Sequence, residues 1–166
     1  MTLDIDAAMR WLQSTPVART ISENEIIFPW IESIHVLAIV LVVGTISIVD
    51  LRLLGVASLD RAVKRLMGDV LPLTWGAFVV AAITGSLLFS SDAVNYGHNF
   101  YFRGKLILLV LAGLNMALFH LFGIRDIARW SESRQTPLPA KAAAAVSLLV
   151  WMAVVAFGRG IGFTMH

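Results

Sequence analysis

FPWIESIHVLAIVLVVGTISIVDLRLLG, residues 28–55, decides the architecture of this chain. Its apolar run exceeds the roughly 20 residues that a helix needs to cross a bilayer, yet it keeps Glu32, His35 and Asp50. At about 100° of rotation per residue, Glu32, His35, Ile39, Val43, Ile46 and Asp50 fall on one stripe. Ionisable groups inside a span are costly, so this stripe is expected to face the interior of a helix bundle and to carry function.

Composition agrees with that start. Hydrophobic residues fill 58% of the 166 positions and charged residues only 14%, with a mean hydropathy of +0.79. Such a chain is too apolar for a water-soluble domain of this size. The expected fold class is all-α, an integral membrane four-helix bundle forming one domain over residues 1–166, with spans at about 28–50, 70–89, 102–123 and 141–163. Ahead of them, LDIDAAMRWLQST (residues 3–15) predicts an amphipathic helix on the membrane surface, stopped by Pro16. The acidic residues Asp4, Asp6, Glu23 and Glu25 argue against a signal peptide. Pro29 and Trp30 suit the start of the first span, Asp69 and Pro72 the start of the second, and SSDAVNYGHN (residues 90–99) reads as a turn-rich loop.

Charge sets orientation and excludes partners. The connections after the first and third spans carry Arg52, Arg61, Lys64, Arg65, Arg125, Arg129, Arg134 and Lys141; the other side carries Arg10, Arg19, Arg103, Lys105 and Arg159. Eight basic residues against five place both termini outside the cytoplasm, in the periplasm if the membrane is a bacterial inner membrane. The net charge of +2 fits contact with lipid headgroups and gives no reason to expect nucleic acid. Without cysteine there is no disulfide framework, thiolate metal site or iron–sulfur cluster. No P-loop, dinucleotide fingerprint, nucleophile elbow or zinc-protease helix is present.

Depth then decides which polar residues can cooperate. His35 is expected about 10 Å below the outer end of the first span, and His120 ~22 Å below Lys105, so the two histidines sit at different levels. Glu32, His35, Arg103, Lys105 and Arg159 come to similar heights near the outer surface, with His98 in the adjacent loop and His166 at the chain end. Gly44, Gly85 and Gly113 suit close packing between helices, and Asp50 with Arg52 suits an ion pair at the inner boundary.

Several local patterns carry a resemblance. W-x-x-x-x-H at Trp30 to His35, Gly44, DLRLLG at residues 50–55, R-x-K-L at Arg103 to Leu106 and N-x-x-x-F-H at Asn115 to His120 together resemble an uncharacterised family of four-span bacterial membrane proteins. That family is distantly similar to the CopD copper-resistance membrane proteins and to the HemJ-type protoporphyrinogen oxidases. The resemblance implies a haem b or porphyrin site on His35, with Lys105 and His120 as further site residues.

The expected function is a haem b protein that moves electrons between a periplasmic partner and a membrane quinone or the lipid phase. His35 would be the iron ligand, and Lys105, Arg103 and Arg159 would neutralise propionates. A second axial ligand is not evident, which opens the prospect of a haem shared across a homo-oligomer axis. Two alternatives stand beside it: a copper-handling protein using His35, Glu32 and His98, and a structural accessory subunit of a membrane complex.

Overall fold

In a computed structural model, residues 2–123 and 136–164 are described; every absence noted below refers to these. Most of these residues are helical, and no strand occurs among them. Two helices precede the first span: α1 (Thr2–Gln13) and α2 (Pro16–Glu23). Pro16 therefore opens a second helix rather than merely ending the first. It lacks only an N–H that would have no partner in a first turn, and the Thr15 hydroxyl accepts from the Ala18 N–H as a cap.

Four helices are long and apolar enough to cross a membrane, which makes this a multi-pass membrane protein. They are α3 (Ile27–Leu54), α4 (Val63–Ser91), α6 (Phe100–Leu118, continued by a π-helical turn at Phe119–Gly123) and α7 (Leu138–Thr164). A short helix, α5 (Ala93–His98), stands where the turn-rich loop was expected, followed by Asn99, whose side chain accepts from the N–H groups of Tyr101 and Phe102 to open α6. Helix α4 begins seven residues before the apolar run suggests, because its first turns carry Lys64, Arg65 and Asp69 and belong to the polar boundary. Pro72 thus lies inside α4 rather than at its start. Helix α3 ends at Gly55, whose φ of 82° only glycine adopts without strain, and the N–H groups of Gly55 and Val56 return to Arg52 and Leu51 carbonyls.

The spans pack in the order α4–α3–α7–α6. The pair α3/α4 is the most extensive, tied at mid-depth by the Thr74 hydroxyl donating to Thr45 Oγ1 at 2.8 Å. Helices α6 and α7 meet through Gly104 under Phe157, Gly160 under Tyr101, and a hydrogen bond donated by Asn115 Nδ2 to the Ala143 carbonyl at 3.0 Å. Helices α4 and α6 do not pack along their length. They are joined at one end, called here the α5 end, by the stacked rings of Phe89 and Phe102, 5.2 Å apart. At the opposite, Gly55 end sits the tightest apolar cluster: Val49, Leu53, Val63, Met67, Ala140 and Ala144. Outward faces such as Leu37, Val40, Ile107, Val110 and Leu149 stay largely exposed, as lipid-facing side chains would.

Helix α1 docks on protein at the α5 end, with one side left open. Met9 fills the space over Gly97, His98 Nε2 meets Asp6 Oδ1 at 3.1 Å, and Gln13 bonds Asp92 and the Val94 N–H. Trp11 points away, 70% exposed, and remains available to a membrane interface.

Candidate functional site

The stripe read along α3 divides in the structure. The buried face is Ala38, Val42, Thr45 and Val49, while His35 sits half-buried at its upper edge and Glu32 is exposed. His35 Nδ1 lies 2.9 Å from Thr84 Oγ1 on α4. That hydroxyl has a single proton, and it is placed 2.7 Å from the Val80 carbonyl of its own helix. With that proton on the Val80 carbonyl, Thr84 Oγ1 would accept from His35 Nδ1–H and leave Nε2 with a lone pair. Glu32 does not orient this ring.

The next residue on α4 makes the placement possible. A Cβ at Gly85 would stand 2.8 Å from His35 Cε1, so only glycine leaves the ring its place between α3 and α4. Lys105 approaches from α6. Its stem passes over Gly158 of α7, with Nζ 3.7 Å from where a Cβ there would be, and its charge acts on His35. Helices α3 and α6 are not neighbours, so the two side chains address each other across the space that α4 and α7 flank. Imidazole, hydroxyl, ammonium and two glycines thus come from four spans.

The remaining expected residues lie elsewhere. Arg103 is exposed and its Nε donates to the Gly97 carbonyl at 2.6 Å, which ties α6 to α5. Arg159 is exposed with its guanidinium over the Phe163 ring, 4.9 Å from the centroid. Neither turns inward, because each finds a partner within its own end of the bundle; Lys105 is the cation that does. His98 belongs to Asp6 and α1. A copper site on His35, Glu32 and His98 is therefore not assembled, and no group of three His, Asp or Glu side chains able to hold a metal occurs among the described residues. His120, in the π-helical turn, is exposed and its Nδ1 donates to the Met116 carbonyl at 3.0 Å; it does not join His35, as the depth difference required. His166 and Arg125, Arg129 and Arg134 lie outside the described residues.

Two readings at the Gly55 end also change. Asp50 does not pair with Arg52: the Ser147 hydroxyl of α7 bonds the Asp50 carboxyl, and Arg52 Nε donates to the Arg61 carbonyl at 2.8 Å. Gly44 and Gly113 face open space, so only Gly85 of the three expected glycines is a close-packing point. Thr84 and Gly158 join His35 and Lys105 here, though neither stands out in the sequence. The adjacent pair Thr84-Gly85 in a span was the available signal, a hydroxyl beside a missing side chain.

Sequence comparison places the chain once this geometry is known. The chain belongs to the DUF6644 family. The profile of that family, a family of unknown function, matches residues 19–164, from α2 to the end of α7. No curated protein and no solved structure matches. Every component of the His35 site falls within the DUF6644 region, whereas α1 precedes it.

Proposed function

We propose that this DUF6644 protein binds haem b through His35 and serves as an electron carrier of the bacterial inner membrane, with both termini in the periplasm. The observation that carries the proposal is the engagement of one His35 ring nitrogen across the α3/α4 interface: Nδ1 lies 2.9 Å from Thr84 Oγ1, and in the tautomer that donates there Nε2 is left with a lone pair. Iron-binding histidines use one ring nitrogen for metal and the other for an orienting hydrogen bond, and the residues present fit that requirement. His35 would hold the iron, and Lys105 would set its positive charge against a carboxylate of the porphyrin. When bound, haem supplies one-electron redox chemistry. The protein's part is to hold the imidazole in one tautomer, to keep water away with apolar faces, and to place a single cation nearby. The resemblance to HemJ-type and CopD proteins supports the same choice of His35 and Lys105; His120, which it also implies, is exposed on the π-helical turn and is left out of this site.

The test is an absorption spectrum of detergent-purified protein, oxidised and then reduced with dithionite, with metal analysis on the same sample. A Soret band that sharpens on reduction, with iron near one per chain, is the expected result. His35→Ala should remove it, and Thr84→Val should weaken retention roughly 10- to 100-fold, the usual cost of losing an orienting partner. Colourless, iron-free protein from haem-replete cells overturns the proposal. Stoichiometric copper would then favour metal handling, and no metal at all a structural role.

A further inference from the structure

One turn beyond His35, at the α5 end, a groove of about 310 Å³ opens between α1, α5 and the aromatic stack that joins α4 to α6. That volume is at the lower end of the roughly 300–1,000 Å³ usual for small-molecule sites. Met9 of α1 forms one wall and Phe89 with Phe102 the floor; Asp6, His98 and Arg103 form the rim. The floor rings are close to parallel, 8° between planes, with Tyr96 packed against both. Phe89 follows Gly85 by four residues and Phe102 precedes Lys105 by three, so both ring positions lie on the helix faces that build the His35 site. The rise along each helix is about 5–6 Å.

We propose that this groove binds the head ring of a membrane quinone, an inference that rests on the haem reading for its purpose and names the redox partner of that site. The rim chemistry selects the occupant. Asp6 and Arg103 oppose one another in charge, so the rim suits a neutral polar ring; the carboxylate would repel a lipid phosphate. His98 donates Nε2–H to Asp6, which leaves Nδ1 to accept from a hydroxyl of the ring in its quinol form. Arg103 spends Nε on the Gly97 carbonyl and keeps its terminal amino groups for the other oxygen of the same ring. Phe89 and Phe102 line the groove with aromatic surface against which the ring would rest.

The experiment is anaerobic saturation binding of decylubiquinol to the full chain in phosphatidylcholine nanodiscs, with empty nanodiscs as background. Quinol is extracted and quantified directly, so the readout needs no pigment. Saturable binding near one per chain is expected, weakened roughly tenfold in His98→Ala and in Phe102→Leu, the scale of one lost hydrogen bond or ring contact. Both changes are conservative for folding, since His98 is exposed and Leu keeps the floor apolar; a melting curve on each sample checks this. Uptake equal to empty nanodiscs, binding indifferent to both substitutions, or displacement by phosphatidylglycerol would each overturn the quinone assignment. Pigmented protein without quinone binding defeats the groove alone. Colourless protein with saturable binding defeats the haem reading alone.

Discussion

Two of the ionisable side chains that α3 holds within the bundle, His35 near the α5 end and Asp50 near the Gly55 end, are treated in opposite ways. Each has one polar atom engaged across a helix interface and one left over: His35 uses Nδ1 on Thr84, and Asp50 accepts from Ser147 while its Oδ2 has no hydrogen-bond partner. The surroundings differ. His35 is half-buried, faces glycines at 85 and 158 through itself and Lys105, and borders the side of the bundle where α4 and α6 stand apart. Asp50 is 6% exposed and adjoins the apolar cluster of Val49, Leu53, Val63, Met67, Ala140 and Ala144. A polar atom enclosed by packed apolar side chains is a cost carried by the fold. The difference teaches that burial alone does not describe the two ends: the space that Gly85 leaves is filled by a polar ring, the space beside Asp50 by apolar side chains.

The sharpest way to break this comparison is to fill the space at each end. Gly85→Leu puts a side chain where His35 Cε1 now lies, so the ring must leave Thr84. Loss of most of the bound pigment is expected, with helical content by circular dichroism unchanged. Ala144→Leu makes the matching change at the Gly55 end, where Ala144 is 1% exposed. There the cost should fall on stability, about 1–3 kcal/mol for an overpacked core, with pigment per folded chain retained. If Gly85→Leu keeps wild-type pigment, or if Ala144→Leu loses it while melting normally, the two ends do not have the roles assigned to them.

The sequence made the architecture legible because span-forming helices depend on length and hydropathy, both of which are local. The four spans, the position of His35 and its separation in depth from His120 followed from counting residues. What could not be counted was which neighbour each polar group chooses. Glu32 shares the stripe with His35 and lies three residues away, yet Thr84, 49 residues away, supplies the hydrogen bond. Asp50 and Arg52 looked like an ion pair, but helical geometry sets them about 200° apart and sends them to different helices. Arg103, Lys105 and Arg159 shared one height, and only their rotation about α6 and α7 distinguishes the inward lysine from the exposed arginines. Helix boundaries failed where polar turns extend a helix past its apolar run, as with Val63–Asp69 of α4.

A smaller effect sharpens the Asp50 side. Asn has nearly the shape of Asp, still accepts from Ser147, and removes the need to keep a carboxyl group among apolar neighbours. Asp50→Asn is therefore expected to melt at or slightly above wild type, by about 1 kcal/mol or ~2–4 °C, with pigment unchanged. A fall of that size or more would mean that Asp50 makes an interaction its surroundings do not reveal, and would give the Gly55 end a ligand of its own.

The smallest effect probes the α5 end from outside the spans. Tyr96 on α5 packs against Phe89 and Phe102, and its phenol is pushed above its ordinary value of about 10 by burial first, then by the carboxylates of Glu32 and Asp92. Below pH ~10 the phenol is neutral whether the chain is folded or not, and its titration contributes nothing to stability. Above pH ~10 the unfolded chain ionises first, so the folded state loses stability as pH rises towards the folded value. Tyr96→Phe lacks this loss. The gap between the melting temperatures of the two proteins should be constant from pH 8 to 9.5, then shift in favour of the variant by pH 11. The check is phenolate absorbance in a Tyr101→Phe background, where Tyr96 is the remaining tyrosine of the two in the chain. Ionisation at or below pH 10 would show the ring to be solvated, and the aromatic floor of the groove would then be open to water rather than shaped for a stacked ring.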